Sequence, residues 1–188
     1  MAKRVCVLLV DGFEEIEAVT VVDVLRRSKI HTTVIGVEHR QPTGSHGIAV
    51  LVDALLADVV AEAVNFDGVV LPGGMPGAAR LRDHAVVGDF IVKQHQAGAL
   101  TAAICAAPMV LGRLGLLRGK EATCFPGFEA ELTGATVVTA DVVDAGDVVT
   151  SRGVGTALAF ALALVARFAD AEQARVIRDA MLVRHTAG

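Results

Sequence analysis

Two short runs, VCVLLV at residues 5–10 and DGVVL at 67–71, are almost wholly apolar and show no alternation of apolar with polar residues. A strand with one wet face alternates, so strands of this kind predict a sheet covered on both sides. Similar runs recur along the chain, each followed by a helical pattern, and that order predicts a parallel, doubly wound α/β sandwich. The spacing predicts strands at Arg4–Val10, His31–Val37, Asp67–Leu71 and Leu100–Ile104, and weaker ones at Ala122–Cys124, Thr136–Thr139 and Asp147–Thr150. Ile48–Asp53 reads as a short extended excursion after turn residues Pro42, Gly44 and Gly47. Helices are expected at Glu15–Ser28, Val86–Gln96, Pro108–Leu114, Gly155–Phe168 and Ala171–Leu182. Residues 1–188 show no linker or repeat, which predicts a single domain.

Composition narrows the function. Trp and Tyr are absent and the formal net charge is −4, so neither stacking platforms nor a phosphate-tracking surface is expected, and nucleic acid is excluded as a partner. The opening apolar run stops at Asp11, too early for a secretory signal core. The apolar stretch Val154–Ala166 falls short of a membrane span, so a chain without membrane contact, working in the cytoplasm, is expected. Mean hydropathy is nevertheless +0.56, high enough to suggest apolar surface shared between subunits. The three cysteines are odd in number and widely spaced, and no histidine pairs with them at ligand spacing. Neither a disulfide framework nor a metal site is indicated, and no cofactor motif stands out.

In open α/β sheets, ligands collect beyond the carboxyl ends of the strands, and here several strands end in unusual residues. One ends in AICAAP, where Cys105 lies among Ala103, Ala106 and Ala107. Small-x-Cys-x-small parallels the nucleophile elbow, a sharp strand-to-helix turn that tolerates only small neighbours. Pro108 suits the first turn of the next helix, whose N-terminus would favour a thiolate. The competing reading, an inert core cysteine, suits Cys6 and Cys124 better than Cys105. The first strand leads into EEIE. Glu14 and Glu15 read as ordinary complements to the helix dipole, whereas Glu17 shares the apolar stripe of Val21 and Val24, which should raise its pKa. Gly73 and Gly74 in LPGG offer backbone donors for an anion, or are merely a loop. SRGVGT holds a G-x-G but has Leu158 where a third glycine would stand, so its glycines read as packing residues and a dinucleotide is not indicated.

EEIE, LPGG, AICAAP and TSRGVGT, in this order over residues 4–183, together resemble the DJ-1/ThiJ/PfpI superfamily, and most nearly its branch of protein deglycases and bacterial ThiJ-like proteins. The resemblance implies a flavodoxin-like sandwich, a homodimer, a reactive Cys105 and a protonated Glu17. It also implies an oxyanion pocket from the backbone of Gly73, Gly74 and Ala106. His46, Phe125 and Arg27 are candidate pocket side chains. The family's arginine in the Ser-x-Gly stretch is His46 here, and the histidine of human-type members is Phe125, as in bacterial ThiJ-like members. The residue after the cysteine is Ala106 rather than the histidine of the protease-like branch, which disfavours a peptidase.

The implied activity is that of a metal- and glutathione-independent glyoxalase or deglycase. Its substrate would be a small reactive aldehyde, methylglyoxal or glyoxal, or a glycated adduct. The alternative is an oxidation sensor or redox-regulated chaperone using the same cysteine. Coupling to a protonated Glu17 is expected to draw the Cys105 thiol below its ordinary pKa of about 8.5.

Overall fold

The computed structural model describes residues 3–183. The chain runs β1 (Arg4–Leu9), α1 (Glu15–Arg27), β2 (His31–Gly36), β3 (Ala54–Leu55), α2 (Leu56–Ala61), β4 (Gly68–Leu71), α3 (Gly77–Asp83) and α4 (Ala85–Gln96). It continues through β5 (Leu100–Ile104), α5 (Pro108–Arg113), β6 (Glu121–Ala122), β7 (Thr136–Val137), β8 (Val142–Asp144), β9 (Val148–Ser151), α6 (Ala157–Phe168) and α7 (Ala171–Ala180). A seven-stranded sheet has the order β3-β2-β1-β4-β5-β9-β8, and β6 and β7 form a separate parallel pair. The main sheet is parallel except at its edge, where β8 runs antiparallel to β9. This is the doubly wound α/β architecture expected from the uninterrupted apolar strands.

β1 shows why those strands are apolar on both faces. Cys6 and Leu8 join a core with Leu81, Phe90, Met109 and Leu111 under α3, α4 and α5. Val5, Val7 and Leu9 point the other way, into a core with Val21, Leu25, Phe160 and Leu164 from α1 and α6. Alternate residues thus serve opposite hydrophobic layers, and a polar residue at any of these positions would sit in one of them.

Three parts of the architecture differ from the sequence reading. Ile48–Asp53 is not a strand. It runs back along residues 40–43 as an irregular hairpin with one bridge, Thr43 to Ala49, and with Val50 N–H donating to the Pro42 carbonyl and Val52 N–H to that of Arg40. Short helices α2 and α3 occupy stretches that carried no helical expectation. Their six and seven residues are too few to show a period. Strands β3 and β8, two and three residues long, lie outside the expected strands for the same reason.

Candidate active site

The pocket is built where β1, β4, β5 and β9 end together. The pairing of Leu71 with Ala103 and of Ile104 with Ser151 brings the ends of β4 and β9 to either side of Cys105. Cys105 itself adopts φ +63, a left-handed conformation that costs a non-glycine residue roughly 1–2 kcal/mol. Its N–H donates to the Ser151 carbonyl at 3.0 Å, and its carbonyl accepts the Phe125 N–H at 2.8 Å, so neighbours on two sides hold the strained turn. Ala103, Ala106 and Ala107 are buried in the core beneath it.

The site requires glycine at 73 for want of space. A Cβ there would lie 2.6 Å from the Cys105 Cβ and 2.9 Å from Glu17 Oε2. Gly74 adopts φ +90, and a Cβ on it would come within 2.4 Å of the Glu14 nitrogen. This turn brings the α1 carboxyl, the β4 amides and the β5 sulfur into one pocket.

Glu17 is fully buried. Gly73 N–H donates to its Oε2 at 2.8 Å, while Oε1 is sealed from solvent and has no aligned partner. Burial is the main reason its carboxyl is pushed up to about 7; the hydrogen bonds from Gly73 and from the Cys105 side chain oppose that push, and the negative charge of Glu14 adds to it. Burial likewise pushes the Cys105 thiol up to about 12, assisted by the charge on Glu17 and by the hydrogen bond to it, and opposed by the N–H groups of Ala106 and Gly74.

The expectation of a thiol below its ordinary pKa is therefore corrected for the ionised pair. Desolvation of the sulfur, which residue order does not show, outweighs the donors around it. Nor does a helix N-terminus serve the thiol: α5 has only six residues and starts at Pro108, and the amides at the sulfur belong to Ala106 and Gly74. Two adjacent buried groups cannot both be charged cheaply, so the pair holds a single negative charge over a wide pH range. Within that singly charged pair the proton is shared between the sulfur and the carboxyl, and the unpartnered Oε1 is the oxygen open to carry it.

The structure brings together Cys105, Glu17, Gly73, Gly74 and Ala106, but Gly73 has a different part from the one expected. Its N–H is taken by Glu17, which leaves Ala106 and Gly74 as the amides directed at the sulfur. Phe125 borders the site through its backbone, and its ring lies over Gly153, 3.2 Å from where a Cβ would stand. Arg27 is not part of the pocket. It lies at the far end of α1, about 15 Å along the axis from Glu17, in an exposed ion pair with Asp23 at 2.7 Å.

His46 bears on the pair only indirectly. It sits on the hairpin above the start of α1, bonded to Glu15 at 3.1 Å, and the neighbouring Glu14 is the carboxylate that raises Glu17.

Glu15 has a part that the sequence reading missed. Only 5% exposed, it accepts His46 N–H at 2.7 Å and Ile48 N–H at 3.3 Å, and so clamps the 43–49 turn to α1. A signal existed: three carboxylates in one helical turn exceed what a helix dipole needs. Three ligand-type atoms also converge at Glu14, Glu15 and His46, and again at Asp11, Glu38 and His39. In both groups a carboxylate is already engaged, Glu15 by backbone amides and Asp11 by Thr43 N–H at 2.8 Å and His39.

The TSRGVGT stretch completes the frame. Thr150 Oγ1 accepts Thr123 N–H at 3.0 Å, and Ser151 Oγ meets Thr156 Oγ1 at 2.7 Å. These bonds secure the end of β9 beside the elbow.

A profile of the DJ-1/PfpI family matches residues 3–167. The chain belongs to the DJ-1/PfpI family. It is 38% identical over 188 residues to Protein dj-1beta of Drosophila melanogaster, covering 98% of this chain and 100% of the relative. It is 39% identical to Protein DJ-1 homolog B of Arabidopsis thaliana, of whose length it spans 43%. A protein named as a deglycase in Pyrococcus abyssi is 35% identical over 152 residues, 79% of this chain and 89% of that one. Among solved structures, an oxidised DJ-1 of Toxoplasma gondii superposes with a TM-score of 0.91 at 36% identity, covering 96% of this chain and 98% of the other. Family membership supports a DJ-1-type role in stress response, and among the described residues no helix is long and apolar enough to cross a membrane.

Proposed function

We propose that this DJ-1/PfpI protein converts 2-oxoaldehydes such as methylglyoxal, or their adducts, to 2-hydroxy acids, with Cys105 as nucleophile and Glu17 as proton carrier. The observation that carries the reading is the buried pair itself: a strained cysteine with two amides at its sulfur, next to a carboxyl raised to about 7 with one oxygen unpartnered. The sulfur adds to the aldehyde carbon and the aldehyde oxygen takes up a proton, giving a hemithioacetal. Glu17 removes the proton from that carbon and returns one to the neighbouring carbon, while the hydroxyl proton passes from the first oxygen to the second, which leaves a thioester of the 2-hydroxy acid. One water then hydrolyses the thioester and frees Cys105, so the sum is methylglyoxal plus water to lactate and a proton. The amides of Ala106 and Gly74 are suited to the oxygen that gains charge in the addition and hydrolysis steps. The Pyrococcus relative's name supports the same chemistry on glycated substrates.

Peroxide-free protein is expected to turn over methylglyoxal steadily and Cys105→Ser to be inactive; equal rates would sink the reading. An oxidation-sensing role is the second reading, favoured by the oxidised form in which the Toxoplasma neighbour was solved. It predicts loss of turnover together with a change in partner binding when Cys105 gains oxygen.

We also propose a two-fold homodimer, working in the reducing cytoplasm that three free cysteines suit. Ile16, Val19, Ile48 and Leu51 are between 51% and 74% exposed. Val19 and Leu51 also line a groove with Val22 and Val50 on the same face. Light scattering should give about twice 19.5 kDa, and Val19→Asp with Leu51→Asp should return the monomer. A wild-type monomer at micromolar concentration would contradict the assignment.

A further inference from the structure

Arg152 has no place in the proton chemistry, yet it borders the same strand ends. Arginines elsewhere in the fold are neutralised: Arg26 pairs with Asp53, Arg80 with Asp11 and Glu38, and Arg167 with Asp144. Among the described residues Arg152 enters no ion pair, and its guanidinium makes one long hydrogen bond, to the Cys124 carbonyl at 3.4 Å. The nearby Glu129 instead accepts the Gly127 N–H at 2.7 Å. A half-buried guanidinium with five donors and so little to bond has the chemistry to take an anion.

It stands in a trough of about 270 Å³ lined by Phe125, Pro126, Arg152 and the Gly153–Thr156 turn. Both walls are tied to the elbow: Phe125 N–H bonds the Cys105 carbonyl, and the Ser151 carbonyl next to Arg152 accepts the Cys105 N–H. The Thr156 hydroxyl is committed to Ser151 and to Gly153. Arg152 is thus the trough's one charged group, facing an apolar surface of ring and glycine backbone.

We infer that the Phe125–Arg152 trough is a subsite for a carboxylate on a short carbon skeleton, so that the preferred substrates are aldehyde adducts of small carboxylate-bearing thiols or amines. The inference rests on the proposed reaction for its substrate, but not for the binding itself. Arg152 would take the carboxylate through paired N–H donors, the Phe125 ring would cover the carbon chain, and the adduct carbon would lie at Cys105.

Two stable thioethers test this by binding alone: S-(2-hydroxypropyl)-N-acetylcysteine and S-(2-hydroxypropyl)-N-acetylcysteamine, which differ by one carboxylate. Their affinities are read from protection of Cys105 against iodoacetamide. Wild type is expected to favour the carboxylated compound by roughly 10-fold or more, a preference that shrinks with added salt. Arg152→Gln should bring the ratio of affinities close to one, and Arg152→Lys should keep part of it. No protection by the carboxylated compound, no preference in wild type, or a preference that survives in Arg152→Gln overturns the subsite. Carboxylate preference without methylglyoxal turnover would leave the subsite standing and remove the proposed reaction; turnover without preference would do the reverse.

Discussion

Glu15 and Glu17 lie two residues apart on the first turn of α1, and both are buried, yet their acidities move in opposite directions. Burial works against the charge on Glu15, but its hydrogen bonds, those from His46 and Ile48 among them, outweigh burial and hold its carboxyl below the usual range. Glu17 has a single backbone donor, Gly73 N–H, an unpartnered Oε1 and a thiol, and burial wins. What separates the structural carboxylate from the proposed proton carrier here is the number of donors supplied by other segments. The hairpin clamp is fully satisfied, whereas the pocket is left one donor short, which suits proton transfer.

The sharpest break of this comparison is kinetic. Glu17→Gln should reduce methylglyoxal turnover by about 10²–10⁴-fold, the range of a lost general acid–base. Glu15→Gln, which keeps an acceptor for the hairpin amides, should cost far less. Similar losses in both variants would erase the distinction between clamp and proton carrier.

Stability should separate the two with opposite signs. Glu15→Leu strands the amides of His46 and Ile48 and removes charged hydrogen bonds, an expected loss of roughly 2–4 kcal/mol near neutral pH. Because the folded pKa of Glu15 is depressed, its contribution is present above the unfolded value and fades as pH falls. Glu17 behaves inversely: with a folded value of about 7 against 4.5, the folded state binds the extra proton and stability drops as pH rises through that window. Glu17→Gln should therefore melt several degrees above wild type at pH 8 and close to it at pH 4. Thermal melts of both variants across pH read this directly, and a Glu17→Gln advantage that is the same at both pH values would contradict the assignment.

A smaller effect sharpens the pocket side alone. Cys105 should alkylate before Cys6 and Cys124, both buried in the core. Its pH profile should shift to lower pH in Glu17→Gln, where the carboxylate charge is gone and a donor remains. In Glu17→Leu the charge is gone but burial is unrelieved, so its profile should lie above that of the Gln variant. Identical profiles in all three proteins would show that Glu17 and Cys105 do not share a proton.

Much of this molecule was legible in residue order because its information is local. Uninterrupted apolar strands such as Val5–Val10 can exist only between two hydrophobic layers, and the small residues around Cys105 can be read as a tight turn before any coordinates are known. EEIE also marked Glu17 as the odd carboxyl, because its neighbours at helical spacing are valines. Other features escaped because they depend on segments remote in sequence. The hairpin at 43–49 crosses about thirty residues to reach Glu15, and with it an apparent helix-dipole residue becomes a clamp. Arg27 has the charge of a pocket residue but lies at the wrong end of its helix, while Arg152, in a motif whose glycines alone read as packing residues, stands beside the elbow and forms no ion pair among the described residues. Sequence periodicity assigned layers and turns, since those follow from side-chain size and polarity along one segment. The number of donors each buried carboxyl receives, and so the site where the proton rests, was decided only when β1, β4, β5 and β9 came to end in the same place.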